Sequence, residues 1–277
     1  MTSSQLRLPA ESADGVRASA TELRVMTFNV QHAAAPRARS QAAWLARAGE
    51  ADIVVLTEVG HGPGRVALLD ALADHGFHVI RSAVPDQADY TTEIATRFGN
   101  AHAFATGVTT LPHRILAIQV RSGVHTPTVI GLYVPSRGTA ARRNKAKRAF
   151  QTAVVAALPD VIRQADPGGP IVVTGDLNVV EPGHRPHYRV FGDWEYDFYR
   201  TFERCGLVDA FRLLHPEESD HSWFGHGGNG YRFDHLFVSA GHAQQVVRCQ
   251  YIHTPRLIGL TDHAVLAAAV HLNPTQP

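Results

Sequence analysis

A mixed α/β protein built on more than one sheet is the fold class this chain predicts, and three observations predict it. Ten short runs rich in β-branched and aliphatic residues, bounded by Gly, Pro or Asn, read as buried strands. Only four helical patterns fall between them. No composition break or Ser/Gly-rich linker divides the 277 residues, whose 44% apolar content can bury one large core. Residues 23–277 are therefore expected to form a single domain, preceded by a small, polar, disordered tail over 1–22.

In chain order, a first strand over 23–28 closes at Asn29, a helix over 39–50 follows, and a second strand over 52–57 runs into Glu58. A helix over 64–74 leads to strands over 77–81, 91–97, 114–120 and 128–134, the last reaching Tyr133 and a Val-Pro turn. The helix over 139–165 is the most clearly patterned. Ala146, Phe150, Ala153, Val154, Ala157, Leu158, Val161 and Ile162 recur at three- and four-residue spacing, with a break expected at Pro159, which lacks an N–H to donate. A strand over 170–175 ends at Gly175-Asp176; a helix over 195–205 and strands over 233–238, 246–252 and 264–271 complete the chain.

Five short polar motifs stand at the mouths of these strands: Phe28-Asn29, Glu58, Asp176-Leu177-Asn178, Arg232-Phe233-Asp234-His235 and Thr261-Asp262-His263. Strand ends converge at a sheet edge, so carboxylates, amides and a histidine gather there. Oxygen donors of this kind hold a hard divalent cation and leave a base and an imidazole free for phosphate chemistry.

The formal net charge is only +1, which exerts no global pull toward nucleic acid. The distribution is more telling: Arg137, Arg142, Arg143, Lys145, Lys147 and Arg148 crowd around the start of the 139–165 helix. A charge run is ordinarily a solvated face. Six cations unrelieved by acids, beside a phosphoester site, point instead to contact with a polyanion. Two cysteines make no disulfide framework and suit a reducing, cytoplasmic setting. Neither a signal peptide nor a membrane span is expected.

In order and spacing, FNV, LTEV, GLYVPSRG, VVTGDLNVV, the stretch Asp209–Ser239 and TDHAVL resemble the endonuclease/exonuclease/phosphatase superfamily, over residues 23 to 271. The stretch from Asp209 to Ser239 is most similar to the exonuclease III and abasic-site endonuclease branch. The resemblance implies a four-layer α/β sandwich, two mixed sheets face to face with helices outside, and a Mg²⁺- or Mn²⁺-dependent phosphoesterase. It implies that Glu58 is the principal metal ligand, with Asn29 and Asp262 completing the metal environment. Asp176 would position and deprotonate the attacking water and Asn178 would orient it. His263, hydrogen-bonded by Asp234, would contact the scissile phosphate, and Tyr133 would approach it. Arg232 is open between a functional role and a scaffold ion pair.

The chain departs from that branch at Gln31, where a second Asn is usual, at Thr57 before the metal glutamate, and at Ser136 after the Tyr-x-Pro turn. Polar Tyr90-Thr91-Thr92 also replaces a Gly-rich start. Trp223 and Phe224 stand where abasic-site endonucleases line a deoxyribose pocket, although two aromatics also suit ordinary packing. The expected function is hydrolysis of the DNA backbone, at abasic or damaged sites or from 3′ ends, by a monomer with no obligate protein partner. Arg142, Arg143, Lys145, Trp223 and Phe224 are its candidate substrate contacts. The alternative is a phosphatase or phosphodiesterase of a lipid headgroup, inositol phosphate or nucleotide. A zinc site built from His184 and His187 is a further possibility, set against scattered surface histidines.

Overall fold

Strand alternation decides the layering. The computed structural model describes residues 21–48, 51–85, 87–138 and 141–272, with side chains from Asn144 onward in the last segment. In β1 (Glu22–Asn29) Leu23 and Val25 face one way, while Met26 and Phe28 face the other. The first set packs against a second sheet and the second set against helices, so both faces of the strand are buried.

One sheet runs β13 (Val246–Ile252), β14 (Val265–His271), β1, β2 (Ile53–Val59), β4 (Thr91–Thr96), β3 (His78–Arg81). The other runs β5 (His102–Phe104), β6 (Ile115–Gln119), β7 (Thr128–Tyr133), β8 (Ile171–Asp176), β12 (Asp234–Ser239), β9 (Leu207–Asp209). A two-stranded ribbon, β10 (Trp223–Phe224) with β11 (Gly230–Tyr231), stands apart. Both six-stranded sheets are mixed: β1 with β2 and β7 with β8 pair parallel, and the other neighbours pair antiparallel.

Three cores stack these elements into four layers. Val25, Val55 and Leu266 of one sheet meet Val129, Val172 and Leu236 of the other. Helices α1 (Ala35–Ala48) and α2 (Pro63–Asp74) cover the outer face of the first sheet through Ala42, Leu45, Leu68 and Leu72. Helices α3 (Ala141–Gln164) and α4 (Asp193–Arg204) cover the second through Phe150, Val154, Leu158, Phe198 and Phe202. Short helices α5 (Ala210–Leu214) and α6 (Thr254–Leu257) lie in connections.

Helix α3 passes through Pro159 unbroken, against expectation. Losing a backbone hydrogen bond there costs ~3 kcal/mol, which burial of Phe150, Val154, Leu158 and Val161 at roughly 1.5–3 kcal/mol each outweighs. Four strands, β5, β9 and the two of the ribbon, carry no sequence signal because they are only two or three residues long. The fold also begins earlier than 23: Glu22 opens β1, and the Thr21 carbonyl accepts from Leu272 N–H at 2.9 Å. Residues 1–20 of the expected tail lie outside the described residues. Among the described residues, no helix is long and apolar enough to cross a membrane.

Gly131 and Thr92 of β4 explain how closely the sheets approach. A Cβ on Gly131 would stand 2.8 Å from a Val55 methyl and 3.0 Å from the Thr92 methyl. Thr92 Oγ1 donates to the Arg114 carbonyl at 3.0 Å, and Thr91 Oγ1 donates to Glu93 at 2.9 Å. Compact Thr92 thus fills this crossing, while Thr91 on the other face of β4 caps Glu93.

Candidate active site

The inter-sheet face that buries Val25, Val129, Val172 and Leu236 turns polar at one end, where the same alternation presents Asn29, Tyr133, Asp176 and Asp234. Register brings two of them together directly, since Asp234 opens β12 opposite Asp176 at the end of β8. Glu58 breaks the alternation. It follows Leu56, which faces the helices, and a regular strand would send it the same way. A register shift in the β2–β4 pairing between Leu56 and Val59, with Glu58 at φ 54°, re-aims its carboxylate toward Asn29.

Asn29 is the hub. Its Nδ2 donates to Asp176 Oδ2 at 2.9 Å and to Glu58 Oε2 at 3.1 Å, and lies 3.5 Å from His263 Nε2. Its Oδ1 accepts from Gln31 N–H at 2.9 Å, and its carbonyl accepts from Thr261 Oγ1 at 2.6 Å. The second contact ties the Thr261-Asp262-His263 loop to the end of β1.

Asp176 is held from two sides. Asn178 N–H donates to its Oδ1 at 2.9 Å, and Asn178 Nδ2 donates to its Oδ2 at 3.2 Å and to the Val134 carbonyl at 2.9 Å. That arrangement needs a sharp turn. Gly175 at φ 146° supplies part of it, since any Cβ there would fall 1.9 Å from the Leu132 carbonyl oxygen. Asn178, at φ 49°, supplies the rest. Lys147, fully buried in α3, anchors the turn by donating to the Asn178 carbonyl at 2.7 Å and to Glu195 at 2.6 Å.

Electrostatics separate the titratable groups. Burial, then the neighbouring Asp234 charge, pushes Asp176 up to about 8. Burial would depress His263, but Asp234, 2.7 Å from Nδ1, outweighs it through charge and hydrogen bond and raises the imidazole to about 10. Asp234 is itself held from the backbone side: Ser222 Oγ accepts from its N–H at 3.0 Å, and its carbonyl accepts from the Tyr251 hydroxyl at 2.6 Å. Burial and the Glu58 and Asp176 charges hold Tyr133 well above its ordinary range, so it stays a neutral O–H donor.

These groups open into a cleft of about 690 Å³. Glu58, Tyr133, Asp176, Asn178, Asp262 and His263 line its floor, and Tyr90, Phe191, Trp223, Tyr231 and Phe233 form an aromatic wall. Asp262 accepts from Trp223 Nε1 at 3.0 Å through Oδ2, and its Oδ1 has no partner among the described residues. Among the described residues, no three His, Cys, Asp or Glu side chains converge into a complete metal cage. Glu58 and Asp262 instead bring carboxylate oxygens to the cleft, Asp262 Oδ1 without a partner among the described residues, while Asn29 Oδ1 accepts from Gln31 and its Nδ2 faces Glu58 and Asp176. Mg²⁺-like ions accept one or two such carboxylates because they keep several waters and add substrate phosphate oxygens.

The expected residues thus divide. Asn29, Glu58, Tyr133, Asp176, Asn178, Asp234, Asp262, His263 and Trp223 are brought together. Phe224 is not: successive strand residues face opposite ways, and Phe224 points outward, 37% exposed, beneath the Arg256 guanidinium. The basic cluster needs correction as well. Glu195 pairs with both Arg137 and Lys147, so these two cations are relieved by an acid contributed from α4, and Lys147 is not available to a ligand. Lys145 is exposed, whereas the side chains of Arg142 and Arg143 lie outside the described residues. Arg232 is a scaffold residue, fully buried between Glu181 and Asp209. His184 is also structural: it is buried, and its Nε2 accepts from Arg232 N–H at 3.3 Å.

Tyr90, Phe191, Tyr231 and Phe233 went unmarked as site residues because aromatic side chains near strand ends are equally at home in a core. His32, 2.8 Å from Glu58 Oε1, was also missed. Its adjacency to Asn29 in sequence was the available signal.

The family model described as Endonuclease/Exonuclease/phosphatase matches residues 26–263. An exodeoxyribonuclease of Bacillus subtilis (strain 168) is 26% identical over 132 residues, 43% of this chain and 51% of that protein. The alignment therefore spans about half the length of that relative. Among solved structures, a Neisseria 3′ phosphatase bound to a product DNA hairpin aligns with a TM-score of 0.72 at 22% identity, covering 89% of this chain and 98% of the other. An AP endonuclease from Archaeoglobus fulgidus gives 0.72 at 21%, with the same coverages. The AP endonuclease of Leishmania major gives 0.71 at 20%, covering 91% and 88%. These structures share the four-layer fold described above.

Proposed function

Since this chain belongs to the Endonuclease/Exonuclease/phosphatase family, we propose that it is a divalent-metal-dependent phosphodiesterase that hydrolyses the DNA backbone. The observation that carries the proposal is the convergence, on one cleft floor, of a carboxylate clasped by two amides and a histidine paired to a second carboxylate. DNA as the substrate class is supported by the relatives, an exodeoxyribonuclease and a 3′ phosphatase bound to product DNA.

In this reading Glu58 and Asn29, with Asp262, hold Mg²⁺ or Mn²⁺. A divalent cation there supplies positive charge to the phosphoryl oxygens and keeps nearby carboxylates ionised. Asp176 accepts the proton of the attacking water. Its two oxygens are fixed by Asn29 and Asn178, so the water is aimed rather than merely held. Asn178 orients that water. His263 is cationic across the neutral range because Asp234 raises its pKa, and it donates to a phosphoryl oxygen as charge builds there. Neutral Tyr133 donates from the opposite side of the cleft. The Trp223 wall encloses a nucleotide or sugar, and exposed Lys145 meets the backbone phosphates at the rim.

The testing experiment incubates the protein with a labelled duplex carrying one abasic-site analogue, in Mg²⁺ and separately in EDTA. An undamaged duplex and a generic phosphodiester run alongside. Metal-dependent cleavage of DNA is expected, with incision at the lesion marking the abasic-site branch. Turnover of the small ester with no DNA cleavage overturns the DNA reading in favour of a small phosphorylated substrate.

A further inference from the structure

Glu58 has a neighbour that the chemistry above leaves unused. His32 Nδ1 lies 2.8 Å from Glu58 Oε1, while the other carboxylate oxygen accepts from Asn29. The imidazole stacks on Tyr90 with ring centroids 5.2 Å apart and 23° between planes, and Tyr90 lines the cleft. Gln31 and His32 stand at φ 49° and 36°, two successive residues with side chains in a region that such residues seldom occupy.

The turn is held in that shape from several directions. Gln31 N–H donates to Asn29 Oδ1 at 2.9 Å, and His32 N–H donates to the Glu58 carbonyl at 3.0 Å. Arg37 clamps Gln31 with two hydrogen bonds, at 2.6 Å to Oε1 and 2.7 Å to the carbonyl. The result is a ring nitrogen delivered to the side of the metal-site carboxylate, its plane fixed by an aromatic partner. Scaffold histidines elsewhere, such as His184 and His235, are nine-tenths or more buried; the His32 side chain is 53% exposed.

We propose that His32 is a nitrogen ligand to the divalent cation held at Glu58, and that it biases the site toward first-row transition ions such as Mn²⁺ over Mg²⁺. The inference rests on the metal-dependent reading above. Two ligand atoms on adjacent vertices of an octahedron with ~2.1 Å bonds stand about 3 Å apart, close to the separation of His32 Nδ1 and Glu58 Oε1. The imidazole coordinates in its neutral form, through Nδ1 with the proton on Nε2. Mg²⁺ takes oxygen donors and gives up its water reluctantly, whereas later divalent ions accept imidazole readily. Stacking on Tyr90 fixes the ring plane as outer partners of metal-binding histidines do.

The test uses Mn²⁺ itself as the probe, on the full chain without DNA. Pulsed EPR of the wild-type protein should show nitrogen coupling from one imidazole. His32→Asn, whose side chain tolerates the left-handed backbone, should abolish it, and His263→Asn should retain it. Mn²⁺ affinity in His32→Asn should fall on the order of ten- to a hundredfold, with Mg²⁺ affinity changed less. His32→Gln, with circular dichroism on both variants, guards against loss of fold. Coupling that survives in both His32 variants, or wild-type protein that binds Mn²⁺ with no nitrogen coupling, overturns the role of His32. If such protein still cleaves DNA in Mg²⁺, the proposed function stands. Wild-type protein that binds no divalent cation overturns both.

Discussion

Two ionic clusters are buried in this fold, and they are balanced in opposite ways. In the scaffold cluster, Arg232 and Arg212 face Glu181 and Asp209, with Arg232 Nη2 at 2.7 and 2.8 Å from the two acids and Arg212 bidentate on Glu181. Although burial opposes ionisation there, the guanidinium groups hold Glu181 down to about 2 and Asp209 well below the usual carboxylate range. In the cleft, Glu58, Asp176, Asp234 and Asp262 meet His263 and half-exposed His32, and Asp176 is driven upward to about 8. Where cations match acids, the cluster is structural. Where acids are in excess, the divalent ion of the proposed function would supply the balancing positive charge.

Asp176→Asn is the substitution expected to break the comparison most sharply. DNA hydrolysis should fall by ~10²–10⁴-fold, the span that a positioned base contributes, with the fold retained. In EDTA its thermal midpoint should equal or exceed that of the wild type, because a buried, repelled charge has been removed. A variant with full activity would falsify the assigned mechanism. Arg232→Met should behave in the opposite way. It strands buried Asp209 and leaves Glu181 to Arg212 alone, and denaturant titration should register a loss of about 3–5 kcal/mol, while any molecules that stay folded keep the cleft chemistry.

The pH dependence should also split. Glu181 and Asp209 have folded pKa values below their unfolded ones, so their contribution is present above about pH 4 and is lost as pH falls toward 2. Arg232→Met should remove the Asp209 share of that acid limb, while Arg212 preserves much of the Glu181 share. Asp176 has a folded pKa above its unfolded one, so metal-free protein binds more protons folded than unfolded between about pH 4 and 8. Stability in EDTA should therefore decline as pH rises through that window. The contribution of His263 is complete below about pH 6.5 and fades as pH rises through about 10. Thermal melts across pH, with and without divalent ion, measure both limbs, and an EDTA profile that rises from pH 5 to 8 would contradict the assignment.

Lys147 sharpens the contrast from between the two regimes. It is a buried, acid-paired cation like those of the scaffold, yet it touches the Asn178 carbonyl in the site. Lys147→Met should lower kcat by about ten- to a hundredfold with KM little changed, because a misplaced aiming group costs rate more than binding; Lys147→Arg should recover part of it. The smallest effect belongs to the ribbon. Trp223→Ala should raise KM for DNA severalfold, while Phe224→Ala, lying outside the cleft, should leave KM within about twofold.

Much of this was legible in advance for a definite reason. Helices and strands announce themselves by period, and a polar motif placed after an apolar run must emerge at a strand end. Asn29, Asp176, Asp234 and His263 could therefore be gathered before any contact was visible. Glu58 was gathered with them and its metal role came from the resemblance, but its route into the cleft depends on a bulge and a left-handed backbone, which leave no mark in apolar periodicity. The basic helix was misread for a related reason. Neither Arg137 nor Lys147 has an acid near it in sequence, and their shared partner, Glu195, arrives from another helix. Pro159 was misjudged because local propensity was weighed without the core that α3 covers.

By itself the chain determined its layers, its pairing of apolar faces and the set of polar groups at the strand mouths, since these follow from periodicity and from the order of residues along each strand. Only the tertiary structure decided which charges are cancelled and which are left over. Charge balance at a buried site depends on distances between groups far apart in sequence, such as Asn29 and Asp176 or Lys147 and Glu195. Electrostatic energy in a low-dielectric interior changes steeply with those distances.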